Sequence, residues 1–149
     1  MTDFGEEDVA RLRMALAKIS RQLDRQVSSD GLTRTQLSVL ASVCSHGPIG
    51  ASELAEREGL NPTMLSRVLA KLEELSLVNR TSDAEDRRAI RVAATATGQR
   101  RQRQLRAERS KLLNRYLSSL SGADAQSLLA ALPALRALAE SMAAAGPRS

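Results

Sequence analysis

The chain is poor in the residues from which most chemical sites and most sheet-rich cores are built. It has no tryptophan, and its only other large aromatics are Phe4 and Tyr116. The interior must therefore be assembled from Leu, Ala, Val and Ile, a composition that favours packed helices over a β-sandwich. Cys44 is the single cysteine, which excludes a disulfide within the chain and leaves no cysteine-based metal set. His46 is the single histidine and there is no glycine-rich phosphate loop, so no nucleophile, base and orienting group can be put together. An enzyme, a metal and a cofactor are accordingly not expected. No apolar run approaches the ~20 residues that cross a bilayer. The opening MTDFGEEDV is acidic, unlike a signal segment. A cytoplasmic protein without a membrane partner is the expectation.

What is present is charge, and it is unevenly placed. The 149 residues carry 22 Lys and Arg against 17 Asp and Glu, a net +5. Residues 1–79 hold 9 basic and 11 acidic side chains, residues 80–115 hold 11 and 4, and residues 116–149 hold 2 and 2. The middle of the chain therefore carries +7, nearly all of it Arg. Guanidinium pairs with phosphate in a bidentate geometry and displaces counterions, so a polyanion is the natural partner. The plain alternative is a solvated helix surface.

Helical periodicity dominates the chain. Val9, Leu12, Leu16, Ile19 and Leu23 alternate at spacings of three and four over about Glu6 to Val27, the seam of a helix that packs along a partner within the fold or in a second subunit. A break follows at Ser28 to Gly31. Thr33 and Gln36 form a capping box for a second helix with Leu37, Leu40, Ala41 and Cys44 on its apolar stripe, ended by Gly47 and Pro48. On that stripe Cys44 reads as a small buried hydrophobe rather than a redox sensor. At the helix end, a His46 imidazolium would meet the negative end of the dipole.

Ser52 is read as the N-cap of a short helix, SELAERE, and Gly59 as its left-handed stop. Asn61 then caps a helix that Pro62 opens. Leu65, Val68, Leu69, Leu72 and Leu75 give that helix one apolar stripe, while Thr63, Arg67 and Ala70 occupy the opposite face with Ser66 on its flank. Two helices joined by a short Gly-containing turn form a helix-turn-helix, whose second helix enters the major groove and presents its N-terminal residues to base edges.

Leu77 to Thr81 and Ala89 to Thr95 read as two strands around the polar loop SDAEDRR, which carries Asp86, Arg87 and Arg88. A hairpin directly after a helix-turn-helix is a wing, and an Arg at its tip suits the electronegative minor groove. Asp86 is close enough in sequence to hold the Arg88 guanidinium in place. A long helix follows from Ala96 to about Leu120. Its Arg- and Gln-rich first half, with Arg100, Arg101 and Arg103, is expected to be solvated rather than in contact with phosphate, and its leucine-rich second half to be packed. Ser121 to Asp124 starts a last helix lined by Leu128, Leu129, Leu132, Leu135, Leu138 and Met142, with Pro133 expected to kink it and the tail AAAGPRS to fray.

Taken together these residues resemble the MarR family of bacterial winged-helix transcriptional regulators over nearly the whole chain. The resemblance rests on the T-x-x-Q start at Thr33 to Gln36, the S-x-L-A segment at Ser52 to Ala55, and above all the pattern D-x-R-x(5)-L-T-x-x-G. That pattern is matched by Asp86, Arg88, Thr95 and Gly98. Ala94 stands where the family usually has Leu, a departure that bears on packing of the second wing strand. The resemblance implies a mainly α fold with a small β-hairpin wing. Residues 1–31 and 120–149 would form a helical dimerisation lobe, residues 32–98 a winged helix-turn-helix DNA-binding lobe, and residues 99–119 a long connecting helix.

It also implies a homodimer, held through Val9, Leu12, Leu16, Ile19, Leu128, Leu132, Leu135 and Leu138, on a pseudo-palindromic double-stranded DNA operator. Ser52, Thr63, Ser66 and Arg67 would face the major groove or its phosphates and Arg88, with Arg87 beside it, the minor groove. Arg67 is the first candidate for a base, since Arg to guanine is the commonest specific pairing. Repression, relieved by a small lipophilic effector, is the implied mode, although two aromatics offer few stacking surfaces. Cys44 is not near the start of the first helix, where peroxide-sensing members carry theirs. The competing reading is an architectural or protein-binding winged helix without sequence readout.

Overall fold

A computed structural model describes residues 3–27, 31–86 and 88–145. Arg87, the break at 28–30 and the last residues of the tail, 146–149, lie outside the described residues. Along the chain run α1 (Glu6–Gln26), α2 (Arg34–His46), β1 (Ile49–Gly50), α3 (Ala51–Glu58), α4 (Pro62–Glu74), β2 (Val78–Ser82), β3 (Ile90–Ala94), α5 (Ala96–Leu117) and α6 (Gly122–Ala145). The fold is the winged helix expected from the sequence, with two long helices at the chain ends.

The caps explain where the central helices begin. Thr33 accepts the Gln36 N–H at 3.2 Å while the Gln36 side chain accepts the Thr33 N–H at 2.8 Å, closing the capping box. Asn61 Oδ1 accepts the Met64 N–H at 2.8 Å, with Pro62 in the first turn. Gly59 at φ 62° ends α3 in the left-handed region, where a Cβ would be costly. Ser52 departs from expectation: Gly50 caps α3, and Ser52 is its second residue. The reason is a strand absent from the sequence reading. Ile49 and Gly50 pair antiparallel with Val92 and Arg91, so the chain enters α3 directly from a sheet of order β1-β3-β2.

The core lies between α2, α3, α4 and this sheet. Val39, Leu40, Val43, Leu54, Leu65, Leu69, Leu72, Val78 and Val92 are its most buried members. Within α2 the apolar stripe is rotated from the expected one: Val39 and Val43 are fully buried, whereas Leu37 and Cys44 pack at the margin. The first half of α5 is likewise not simply solvated, since Gly98, Gln102 and Leu105 are buried against the winged unit. Strand alternation puts Ile90 on the same side as Val92, yet Ile90 is exposed while Val92 is sealed.

The outer helices are different in kind. Neither α1 nor α6 buries a residue. Val9, Leu12, Leu16, Ile19, Leu128, Leu132 and Leu138 are between 37% and 53% exposed, and Leu135 is half-buried. The helix α6 runs unbroken through Pro133. It also corrects the expectation that no segment has membrane-spanning length, because α6 is 24 residues long and an 18-residue stretch within it reaches a mean hydropathy of 1.4. Alanine and leucine raise that average although Asp124, Arg136 and Glu140 interrupt the run, and Arg136 Nε meets Glu140 at 2.8 Å.

Candidate nucleic-acid interface

The second helix of the helix-turn-helix divides cleanly. Leu65, Leu69 and Leu72 are buried on one side of α4, and Thr63, Ser66, Arg67 and Ala70 are exposed. Among the described residues, the side chains of Thr63, Ser66 and Arg67 have no hydrogen-bond or ion-pair partner, so they are unengaged. Further along, the carboxylates are neutralised: Glu74 lies 3.5 Å from Lys71 Nζ, and Glu73 is clamped by Arg80. Polarity on α4 thus changes from open donors at its start to internally satisfied ions at its end.

The Glu73–Arg80 clamp ties this helix to the wing. Arg80 donates to Glu73 from its backbone N–H at 3.1 Å, from Nε at 2.9 Å and from Nη2 at 2.7 Å. Those hydrogen bonds hold the Glu73 carboxyl below its ordinary range, against a smaller opposing effect of burial. Periodicity could not have found this pair, because its members sit on different elements across the α4–β2 corner.

The family pattern acquires a structural cause at the start of α5. Thr95 Oγ1 accepts the Gly98 N–H at 3.0 Å, capping α5, and donates to the Ser76 carbonyl at 2.6 Å. A Cβ on Gly98 would lie 2.0 Å from the Leu77 carbonyl oxygen, so the backbone of α5 is pressed onto the β2 entry. Thr and Gly at these two positions therefore dock the wing on α5.

At the other end of the wing, the Asp86 carboxylate accepts the backbone N–H of Arg88 at 3.0 Å. This is a correction: Asp86 shapes the turn rather than gripping the Arg88 guanidinium, because two residues of separation favour a local Asx turn. Asp83 does the same for the Glu85 N–H at 3.0 Å. Arg91 is a support that the sequence reading misses entirely. Its Nη2 donates to the Pro48 carbonyl at 2.9 Å and its Nη1 lies 3.8 Å from Asp83, joining β3 to the β1 corner and the wing turn. Arg88 itself is exposed on that turn.

Ser52 and Ser66 come together at the rim of a cleft of about 170 Å³ between α3, α4 and the wing, which Arg80 and Ile90 also line. Thr63, Arg67 and Arg88 are not part of it. On the α5 side, Arg100 Nη2 donates to Thr97 Oγ1 at 3.2 Å and Arg106 Nη2 to Ser45 Oγ at 3.4 Å. His46 Nδ1 donates to the Ser42 carbonyl at 3.1 Å and its Nε2 lies 3.4 Å from Arg57 Nη1, so the ring links α2 to α3. Burial pushes the Cys44 thiol up, outweighing the nearby Arg106 and Arg103. Since the thiolate is the reactive form, that environment disfavours oxidation chemistry.

The surface is thus a helix start with free polar groups, an adjoining short helix and a braced hairpin bearing Arg. Residues 32–90 match the MarR family. The HTH-type transcriptional repressor MdtR of Bacillus subtilis is 34% identical over 110 residues, covering 74% of this chain and 71% of that protein. The chain belongs to the MarR family. As a MarR-family protein it is a DNA-binding transcriptional regulator built on the winged helix. The YusO protein of Bacillus subtilis, 27% identical, superposes with a TM-score of 0.68 over 93% of this chain and 99% of its own. A mutant of Staphylococcus aureus MepR bound to an oligodeoxyribonucleotide shares the fold at a TM-score of 0.66. It is 19% identical and covers 91% of this chain and 98% of its own.

Proposed function

We propose that this MarR-family regulator is a cytoplasmic repressor that binds a pseudo-palindromic operator as a homodimer. The observation that carries the reading is the unengaged polar start of α4 beside an Arg-bearing wing. On DNA, Arg67 reads a base, Ser52, Thr63 and Ser66 contact the major groove or its phosphates, and Arg88 with Arg87 enters the minor groove, while Asp86 shapes the wing turn. The relative MdtR is named a repressor, and MepR has been solved on DNA, which supports the same direction here.

The exposed leucine faces of α1 and α6 support a dimer in which residues 1–31 and 120–149 form the shared lobe, residues 32–98 the reading lobe and residues 99–119 the connection. Exposed apolar faces of this extent are covered by a partner in stable proteins. A small lipophilic effector has a candidate place in the apolar cleft of about 370 Å³ between α1 and α5, lined by Ile19, Leu23, Leu112, Leu113 and Tyr116. Footprinting of purified protein tests the reading. A protected stretch upstream of its own coding region at physiological salt is expected, and binding no tighter than to random DNA contradicts it in favour of an architectural role.

A further inference from the structure

The two ends of the regulator meet at one carboxylate. Asp24, near the end of α1, is about three-quarters covered, and its two oxygens face different helices, α2 of the winged unit and the connecting α5. Its Oδ2 lies 3.0 Å from Arg34 Nη2, on the first residue of α2, and its Oδ1 lies 3.3 Å from Arg109 Nη2 on α5. The buried Nε of Arg109 has no acceptor among the described residues, so the contact with Asp24 is what orients that guanidinium. The junction is not packed solid: Asp24, Arg34 and Arg109 line a space of about 170 Å³ with Val27, Leu32 and Leu37. The Asp24 contacts therefore span a partly open junction between α1 and α2.

We propose that Asp24 is a positioning residue, a strap that fixes the orientation of the reading lobe relative to α1 by holding Arg34 and Arg109 at once. Arg34 is largely exposed and Arg109 partly so, and ion pairs with a solvated partner contribute little, on the order of 0–1 kcal/mol. The strap therefore acts on orientation far more than on stability. Its loss leaves two cations facing one another across an open junction, which separates the helices they belong to. Resting on the dimeric DNA-reading function above, the consequence is that Asp24 sets the separation of the two recognition helices and hence the half-site spacing the dimer accepts.

The test uses the full chain with Cys44→Ser as background and spin labels at Arg13→Cys on α1 and Asn79→Cys on β2, diluted with unlabelled protein so that pulsed dipolar measurements read the distance within one chain. A single narrow distribution is expected for this background. Asp24→Asn at least doubles its width, Asp24→Glu restores it, and Arg34→Ala, at an exposed helix start that does not threaten folding, widens it from the other side. Unchanged widths in both Asp24→Asn and Arg34→Ala overturn the proposal. Selection from a pool of symmetric sites with varied spacers forms the second arm: Asp24→Asn accepts more spacings than the unsubstituted chain. Wider distances with an unchanged spacing preference overturn the positioning role. If neither protein binds any site, the DNA-reading function fails, and the distance distributions still decide whether the strap exists.

Discussion

At the scale of single residues, the free side chains and the pressed-together backbone make separate predictions. Among the described residues Arg67 has no partner, so Arg67→Ala leaves folding intact. It costs about 1–3 kcal/mol of operator affinity and relaxes preference at one base position, read by competition binding against single-base variants of the site. Arg88→Ala instead weakens binding about equally for all sequences and lowers the salt dependence by about one counterion, measured from affinity against salt concentration. Gly98→Ala is a folding mutation, because its Cβ would meet the Leu77 carbonyl oxygen at 2.0 Å. Thermal unfolding should show it destabilised by about 1–3 kcal/mol, with the backbone contact leaving little room to relax. A wild-type melting temperature in Gly98→Ala contradicts the docking role assigned to that glycine.

Among elements, the clamp between α4 and β2 carries a pH response. Glu73 is held below its ordinary value by hydrogen bonds from Arg80. A carboxylate with a depressed folded-state pKa stabilises the fold fully above its unfolded value, about 4.3, and loses that contribution as pH falls through the lower folded value. The melting temperature of the unsubstituted chain should exceed that of Glu73→Gln at neutral pH, and the gap should close only below about pH 4.3. A gap that is constant over that range argues against the ion pair. Elements with local signals were legible in the sequence: the Thr33 capping box, the Asn61–Pro62 start and the Gly59 stop all mark helix ends through contacts within four residues. What was not legible depends on partners distant in the chain. The two-residue strand at Ile49 and Gly50 exists only because β3 comes beside it, and it moved the cap of α3 from Ser52 to Gly50. Gln102 looked solvated among arginines, yet α5 turns it inward. Candidate reading residues on α4 could be named from helical phase alone, whereas the bracing by Arg80 and Arg91 required the fold.

For the whole molecule, the decisive feature is the contrast between a sealed winged core and two long helices, α1 and α6, that carry no fully buried residue. Each of these leucines is already partly covered and so forgoes only part of the about 1.5–3 kcal/mol of full burial, but a face of several is still a drive to pair. Leu132→Asp should therefore shift sedimentation from dimer to monomer and weaken operator binding together. A variant that stays dimeric with full affinity places the subunit contact elsewhere. Selecting bound DNA from a random pool tests whether two copies read a symmetric operator through α4 and the wing. A two-fold symmetric site whose half-sites lie one helical turn, about 34 Å, apart should be enriched. Recovery of no enriched sequence, or of a single unpaired half-site, would contradict it.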